Sequence, residues 1–175
     1  MYRWDEYFYK VSNTVADNSK CLSRKIGAVI VKDKSIISTG YNGPPRGVPS
    51  CEWRYVMDPA IFNKTTEQQK KDGKENIVCP RKMLGYKSGE AVGLCVAGHA
   101  ERNAIVNAAR HGICVKGSTM YLNVPVPCKE CLIEIINAGI NEVVVTNHSY
   151  YDEATGYLLR SSKLVIREYE RGIVK

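Results

Sequence analysis

Histidine, tryptophan and phenylalanine are scarce in this 175-residue chain, at three, two and two residues. Any imidazole-dependent site must therefore draw on His99, His111 or His148. No apolar run approaches the ~20 residues that cross a bilayer, which argues against a spanning helix and a membrane partner. The opening "MYRWDEYFYK" lacks a charged-then-apolar secretory pattern, so a cytoplasmic setting is expected. There is no internal repeat. Acidic residues are outnumbered, with 18 Asp and Glu against 25 Lys and Arg and a net charge of +7. That excess reads either as a solvated basic surface or as attraction to an anion, a nucleotide phosphate or a nucleic acid.

The composition, 44% apolar and 25% charged, is that of a soluble globular protein. Residues 1–175 read as a single catalytic domain, long enough to bury roughly 70% of its unfolded surface. Cysteines stand at 21, 51, 79, 95, 114, 128 and 131. In a reducing compartment, patterned cysteines point to metal or catalysis before disulfides. Cys114, in "HGICVKG", reads as a small core residue outside any such pattern.

Trp4, Tyr7, Phe8, Val11 and Val15 recur at spacings of three and four and predict a first helix. "IGAVIVK" (26–32), the turn "DK" and "SIISTGY" (35–41) predict a hairpin. "NGPPRGVP" (42–49) is a loop. Residues of about 51–97 form an irregular, cysteine-bearing insertion, too small and polar to own a core. Within it "KTTEQQKKDGKEN" (64–76) is a short polar helix or a mobile loop. Helices at about 99–110, 128–138 and 152–162 then alternate with strands at 118–124, in "NEVVVTN", and at 163–170. In "GHAERNAIVNAARHG" the alanines, Ile105 and Val106 supply the packing face. Gly139 suits a left-handed helix end, and His111 a C-terminal cap. Alternating strands and helices behind a hairpin predict an α/β layered fold with a mixed sheet.

The chemistry concentrates in two stretches. In "VPVPCKECLIEII" Cys128 and Cys131 share one helix face, and Pro127 suits the helix start. The positive end of the helix dipole favours thiolates there. Two thiolates at this spacing are half of a tetrahedral Zn²⁺ site, and His99, at another helix start, is the third ligand. Three protein ligands and an open fourth position mark catalytic zinc. Glu101 supplies a carboxylate for general acid–base work. His-x-Glu followed by Pro-Cys-x-x-Cys is the signature of zinc deaminases. In that chemistry water attacks C4 of a cytosine or C6 of an adenine ring, while a carboxylate such as Glu101 moves a proton to the ring nitrogen and then to the departing amine. His148 reads as a surface residue.

With these motifs, and with "KIGAVIV", "STGYNGPPRG", "GHAERNAI", "MYLNVPVPCKECLIEIINAGI" and "YYDEAT", the chain resembles the cytidine deaminase superfamily. Within it, the chain is most similar to the deoxycytidylate (dCMP) deaminases. The resemblance implies a three-layer α/β/α fold on a five-stranded mixed sheet. It implies conversion of dCMP to dUMP and ammonia, which supplies thymidylate synthesis, in a homo-hexamer activated by dCTP and inhibited by dTTP. Mg²⁺ would accompany a triphosphate effector. Asn42 would hydrogen-bond the deoxyribose, Ser23, Arg24 and Lys25 would lie near the phosphate, and Ala100 would contact substrate. Tyr150 or Tyr151 would close over the nucleotide. Arg110, with Gly43, Arg46 and Asn103, would fall among allosteric or subunit contacts. Asn107 departs from a related phage enzyme, which has a larger apolar residue there.

On the residues alone, Asn42-Gly43 also reads as a mere turn, and Arg24 and Lys25 as solvated charge. Cys21, Cys51, Cys79 and Cys95 show no local motif. They read either as a second, structural Cys₄ zinc that pins the insertion, or as scattered buried thiols. Some dCMP deaminases resemble the first alternative, with ligands at places matching Cys21 and Cys51. Two rival functions share the motif. A tRNA adenosine deaminase would act at C6 of adenine, though "GYNG" and the insertion weigh against it and make a nucleic-acid partner unexpected. A catalytically silent, zinc-stapled nucleotide-binding scaffold would not need Glu101.

Overall fold

The computed structural model describes residues 3–69, 71, 78–87, 89–150 and 152–169. Its elements include α1 (Arg3–Asp17), β1 (Gly27–Lys32), β2 (Ser35–Tyr41), α2 (Arg54–Met57), α3 (Pro59–Phe62) and α4 (Pro80–Met83). They continue with α5 (Ala100–Arg110), β3 (Thr119–Leu122), α6 (Lys129–Asn137), β4 (Glu142–Val145), α7 (Glu153–Ser161) and β5 (Val165–Glu168). The chain divides into two compact units. One comprises the chain up to Ser19, Ile26–Tyr41 and the chain from His99; the other comprises Lys20–Lys25 and Asn42–Gly98.

The first unit is built on a five-stranded sheet in the order β2-β1-β3-β4-β5. β1 runs antiparallel to both neighbours, and β3, β4 and β5 are parallel. The mixed character follows from the connections. A two-residue turn at Asp33 and Lys34, both at positive φ, closes the β1–β2 hairpin. The later strands are joined through α6 and α7, as parallel neighbours require.

Side-chain alternation splits each central strand between two cores. Ala28, Ile30, Met120, Leu122, Val143 and Val145 join α5 and α6 residues in one. Val29, Val31, Tyr121 and Val144 meet Phe8 of α1 in the other. Helices thus cover both faces, which makes the three layers α/β/α. On the α1 side, Tyr121 donates its hydroxyl to Asp5 at 2.8 Å. Arg167 of β5 binds Asp5 at 2.6 Å and Glu142 at 3.0 Å. Burial pushes the Tyr121 phenol above its ordinary range, and Asp5 adds to the shift.

α5 is seated by small residues. Ala100, Ala104 and Ala108 are buried, and Ile105 packs beside them. Val106, expected to pack, is instead 53% exposed, because it lies off the stripe of Ala100, Ala104, Ile105 and Ala108 that faces the core. Gly40 of β2 faces the helix backbone. A Cβ there would stand 2.3 Å from Ala104 N and 2.4 Å from Ala100 O. Gly139 ends α6 at φ +74°, as the left-handed C-cap requires. Cys114, expected in the core, is exposed. Its apolar neighbours in sequence did not carry it inward, since it lies in the non-helical turn after α5.

The second unit holds the 3₁₀ turn Cys51–Trp53, then α2, α3 and α4, and a second 3₁₀ turn at Val92–Leu94. Tyr55 and Ile61 are fully buried there. Tyr55 donates to Val78 O at 2.9 Å, and Arg54 ties Asp58 to Leu94 O. Gly43 and Gly98 exchange two backbone hydrogen bonds of 3.1 and 2.8 Å. Much of the stretch expected as a polar helix or mobile loop at 64–76 lies outside the described residues.

Gly40→Ala should displace α5 at a backbone-to-backbone contact. Overpacking of this kind costs about 1–3 kcal/mol, so thermal unfolding should move down by roughly 2–12 °C. An unchanged midpoint would show that α5 is not held at this distance.

Candidate metal centre and its flanking carboxylate

Two helix starts meet in the first unit. His99 is the N-cap of α5, with extended backbone (φ −74°, ψ 152°), and its side chain makes no capping hydrogen bond. Cys128 is the N-cap of α6 (φ −66°, ψ 163°), again without a side-chain cap. α6 begins just beyond the carboxyl end of β3, the edge where open α/β sheets gather ligands. Cys131 lies in the first turn of α6 and is fully buried.

His99 Nδ1 stands 3.4 Å from Cys128 Sγ and 3.3 Å from Cys131 Sγ. All three donor atoms lie within 4.8 Å of one another. Around a tetrahedral zinc, bond lengths of ~2.3 Å to sulfur and ~2.05 Å to nitrogen place N and S roughly 3.6 Å apart. The observed spacing comes within a few tenths of an ångström of that value, and the donor set is the borderline-soft N/S type that zinc takes. His99, Cys128 and Cys131 therefore fit a zinc ion. Among the described residues no other group of three or more such side chains converges as tightly.

The electrostatics of the trio divide its protons unequally. Hydrogen bonding from the Cys131 thiol, with His99 adding to it, holds Cys128 down at about 4 against the opposing effect of burial. Cys131, the donor, is pushed above its ordinary range by that same bond and by burial. The bond to Cys128 raises His99, and the Glu101 carboxylate adds to it. Cys128 thus carries the thiolate, at a helix start whose dipole favours it.

Glu101 lies two residues beyond His99 and is 5% exposed. Its charge is felt at both His99 and Cys131. The first turn of α5 therefore carries a donor and a buried carboxylate side by side. One residue on, Arg102 pairs with Glu134 of α6 at 2.8 Å and links the two helices.

The remaining expected site residues are placed as follows. In the first unit, Ala100 is fully buried under Gly40. Asn103 donates to Tyr41 O at 2.8 Å. Tyr150 is 48% exposed, and its ring lies against Gly156 of α7. Arg110, His111 and His148 are exposed, His111 at the C-cap of α5. Tyr151 lies outside the described residues. In the second unit, Asn42 is buried and donates to Arg24 O at 2.8 Å. Arg24, Lys25 and Arg46 are exposed, Ser23 is half-buried, and Gly43 sits in the bridge to Gly98.

Cys21, Cys51, Cys79 and Cys95 all belong to the second unit. Burial raises the Cys51 thiol, Arg54 opposes the shift, and Cys79 and Cys95 add to it. Those three thiols thus share one neighbourhood, yet no three of the four bring their sulfurs as close as the His99 trio. Sequence reasoning missed Ser38, Gly40 and Asn107 as supports of α5. A lone glycine inside a strand pattern, as in "STGY", is the signal for a close backbone approach.

A five-stranded mixed sheet of this order, with a His/Cys/Cys donor set at two helix starts, defines a metal-binding α/β protein of the cytidine deaminase-like fold. The model for the cytidine and deoxycytidylate deaminase zinc-binding region matches residues 2–147. The chain belongs to that family. It is 31% identical over 166 residues to the deoxycytidylate deaminase of Saccharomyces cerevisiae, covering 95% of this chain and 45% of the yeast protein. The counterpart in Mycobacterium phage D29 is 33% identical over 153 residues, covering 83% of this chain and 96% of that one. The human enzyme is 36% identical over 155 residues, covering 87% and 70%. Against the two yeast relatives, at 45% and 44%, the chain spans less than half of their length. Among solved structures, the dCMP deaminase of cyanophage S-TIM5, in complex with dCMP and dUMP, superposes with a TM-score of 0.65. It is 23% identical and covers 97% of this chain and 99% of its own, and so shows the shared fold.

Alkylation of the metal-stripped protein tests this division of protons. Iodoacetamide at pH 6 should label Cys128 ahead of Cys131, and added zinc should protect both. Labelling of Cys131 first, or a need for alkaline pH at Cys128, would contradict the arrangement.

Proposed function

We propose that the chain catalyses the hydrolytic deamination of dCMP to dUMP with release of ammonia. The observation that carries this reading is the convergence of His99, Cys128 and Cys131 beside the buried carboxylate of Glu101. The names of the relatives supply the substrate class: those of yeast, phage and mammals at 30–36% identity are all deoxycytidylate deaminases. The same names favour a cytosine nucleotide over tRNA as substrate.

Zinc held by the three donors would act as a Lewis acid that brings the pKa of a water to about 7. Glu101 then does the proton work. Its carboxylate accepts a proton from the attacking water and delivers it to N3 of the cytosine ring. A second proton passes through the same carboxyl group to the exocyclic amine, which leaves as ammonia as the C4–N bond breaks. Water supplies the new C4 oxygen and both protons, so the reaction balances without a further reactant. The burial of Glu101 keeps this shuttle out of bulk solvent.

The finer features form part of the same proposal. The chain works as one catalytic domain carrying the cysteine-bearing insertion, in the cytoplasm, where it supplies dUMP for thymidylate synthesis. It assembles as a homo-hexamer without nucleic acid. dCTP activates it and dTTP inhibits it, with Mg²⁺ accompanying the triphosphate. Tyr150 packs over the nucleotide, and Arg110 contributes to the regulatory contacts. Cys21, Cys51, Cys79 and Cys95 hold a second, structural zinc; the electrostatic coupling of Cys51 to Cys79 and Cys95 supports it.

Ammonia release should be measured with dCMP, dCTP, deoxycytidine and tRNA. dCMP should be the preferred substrate. Glu101→Gln should keep its zinc and its thermal stability and lose about 10²–10⁴-fold in kcat. Wild-type turnover in that variant would remove Glu101 from the mechanism. Turnover of tRNA in preference to dCMP would replace the substrate.

A further inference from the structure

α5 carries both His99, at its N-cap, and Glu101, whereas the two cysteines sit at the start of α6. The centre is therefore only as well defined as the axial position of α5. Productive geometry in such sites must hold to within roughly 0.5 Å. The alanine face of α5 sets its distance from the sheet, but small flat side chains do little to stop a helix from sliding along its own axis.

Three hydrogen bonds from side chain to backbone supply that restraint. Asn103 Nδ2 donates to Tyr41 O and Asn107 Nδ2 donates to Thr39 O, each at 2.8 Å. Ser38 Oγ donates to Ala104 O at 2.6 Å and is buried. β2 is an edge strand, and Thr39 and Tyr41 are two residues apart on it. Four residues of helix rise about 6.0 Å, and two residues of antiparallel strand about 6.8 Å. The two asparagines, one helical turn apart, thus match two successive outward carbonyls of the strand. A shift of α5 by even half a residue's rise would misalign both bonds together. A short polar side chain that donates an amide is what this edge needs, and a larger apolar side chain at 107 would remove one half of the pair.

We propose that Asn107 is a positioning residue that locks the axial register of α5 on β2, with Asn103 and Ser38, and through it places His99 and Glu101 against Cys128 and Cys131. It sits eight residues beyond His99, about 12 Å along the helix, and contributes no group to the metal or to the reaction. For turnover the inference rests on the proposed deaminase reading; for metal retention it does not.

The test compares Asn107→Asp, the same in shape but without the donor, and Asn107→Leu with the wild-type protein. Zinc retention is read by competition with a chelator, and site geometry by the absorption bands of the Co²⁺-loaded protein. The variants should bind the metal about 10–100-fold less tightly, the range seen when outer supports of a site are removed. Their Co²⁺ bands should shift, and kcat for dCMP should fall while KM stays within about threefold. Asn107→Gln, which keeps an amide donor, should recover more of the metal affinity than Asn107→Leu. Wild-type metal affinity and unshifted Co²⁺ bands in Asn107→Asp would overturn the proposal, whatever the change in melting temperature. Where Asn107→Leu does not fold, the isosteric Asp variant alone decides. If the wild-type protein released no ammonia from dCMP, the deaminase reading would fall, and the metal measurements would still decide the role of Asn107.

Discussion

The contact between α5 and β2 at Gly40 is the constraint on which the rest of the site depends. A helix that carries a candidate metal donor at its start and a buried carboxylate in its first turn must approach the sheet closely enough to meet its partner helix. Gly40 and the alanines at 100, 104 and 108 allow that approach, since a single Cβ at position 40 would collide with helix backbone. Large side chains would bury more apolar surface, at ~25 cal/mol per Å², but would hold α5 farther out. The structure gives up apolar burial at this interface in exchange for position. The lost stability is recovered on strands β1, β3 and β4, whose valines, isoleucine, leucine and methionine fill both faces of the sheet.

The electrostatics of the centre follow from the same placement. Two helix N-termini face one another, so the local field favours negative charge. The pairing of the two thiols holds Cys128 below its ordinary range and pushes Cys131, the donor, above it. A bound cation would displace the Cys131 proton, which couples metal affinity to pH. Glu101 sits outside the donor trio but within reach of its charge. Three protein donors and an adjacent buried carboxylate are the parts of a catalytic zinc centre; a structural one closes with a fourth ligand.

Much of this was legible in the chain, and for specific reasons. The helical spacing of Trp4, Tyr7, Phe8, Val11 and Val15 reports α1, although the face the structure buries runs through Asp5, Phe8, Ser12 and Ala16 and leaves Trp4 and Tyr7 exposed. The Cys-x-x-Cys behind a proline reports a helix start bearing two thiols, because only those two positions share the first-turn face. Cys114 and Val106 were misread because apolar neighbours reveal hydrophobicity without direction. The roles of Ser38, Asn103 and Asn107 were not legible at all. Asparagine is a generic helix-surface residue until a strand edge with open carbonyls lies beside it, and that proximity is tertiary. The four cysteines of the second unit stand between these cases: separations of tens of residues carry no geometry, and the structure brings three of them into electrostatic contact without a tight cluster.

The most direct test is a crystal structure with an anomalous difference map at the zinc edge. The account predicts a peak bounded by His99 Nδ1 and by the sulfurs of Cys128 and Cys131, at about 2.0–2.3 Å, with no fourth protein ligand. Glu101 should lie beside that open position. A peak closed by a fourth protein side chain, or no peak between these three residues, would contradict it.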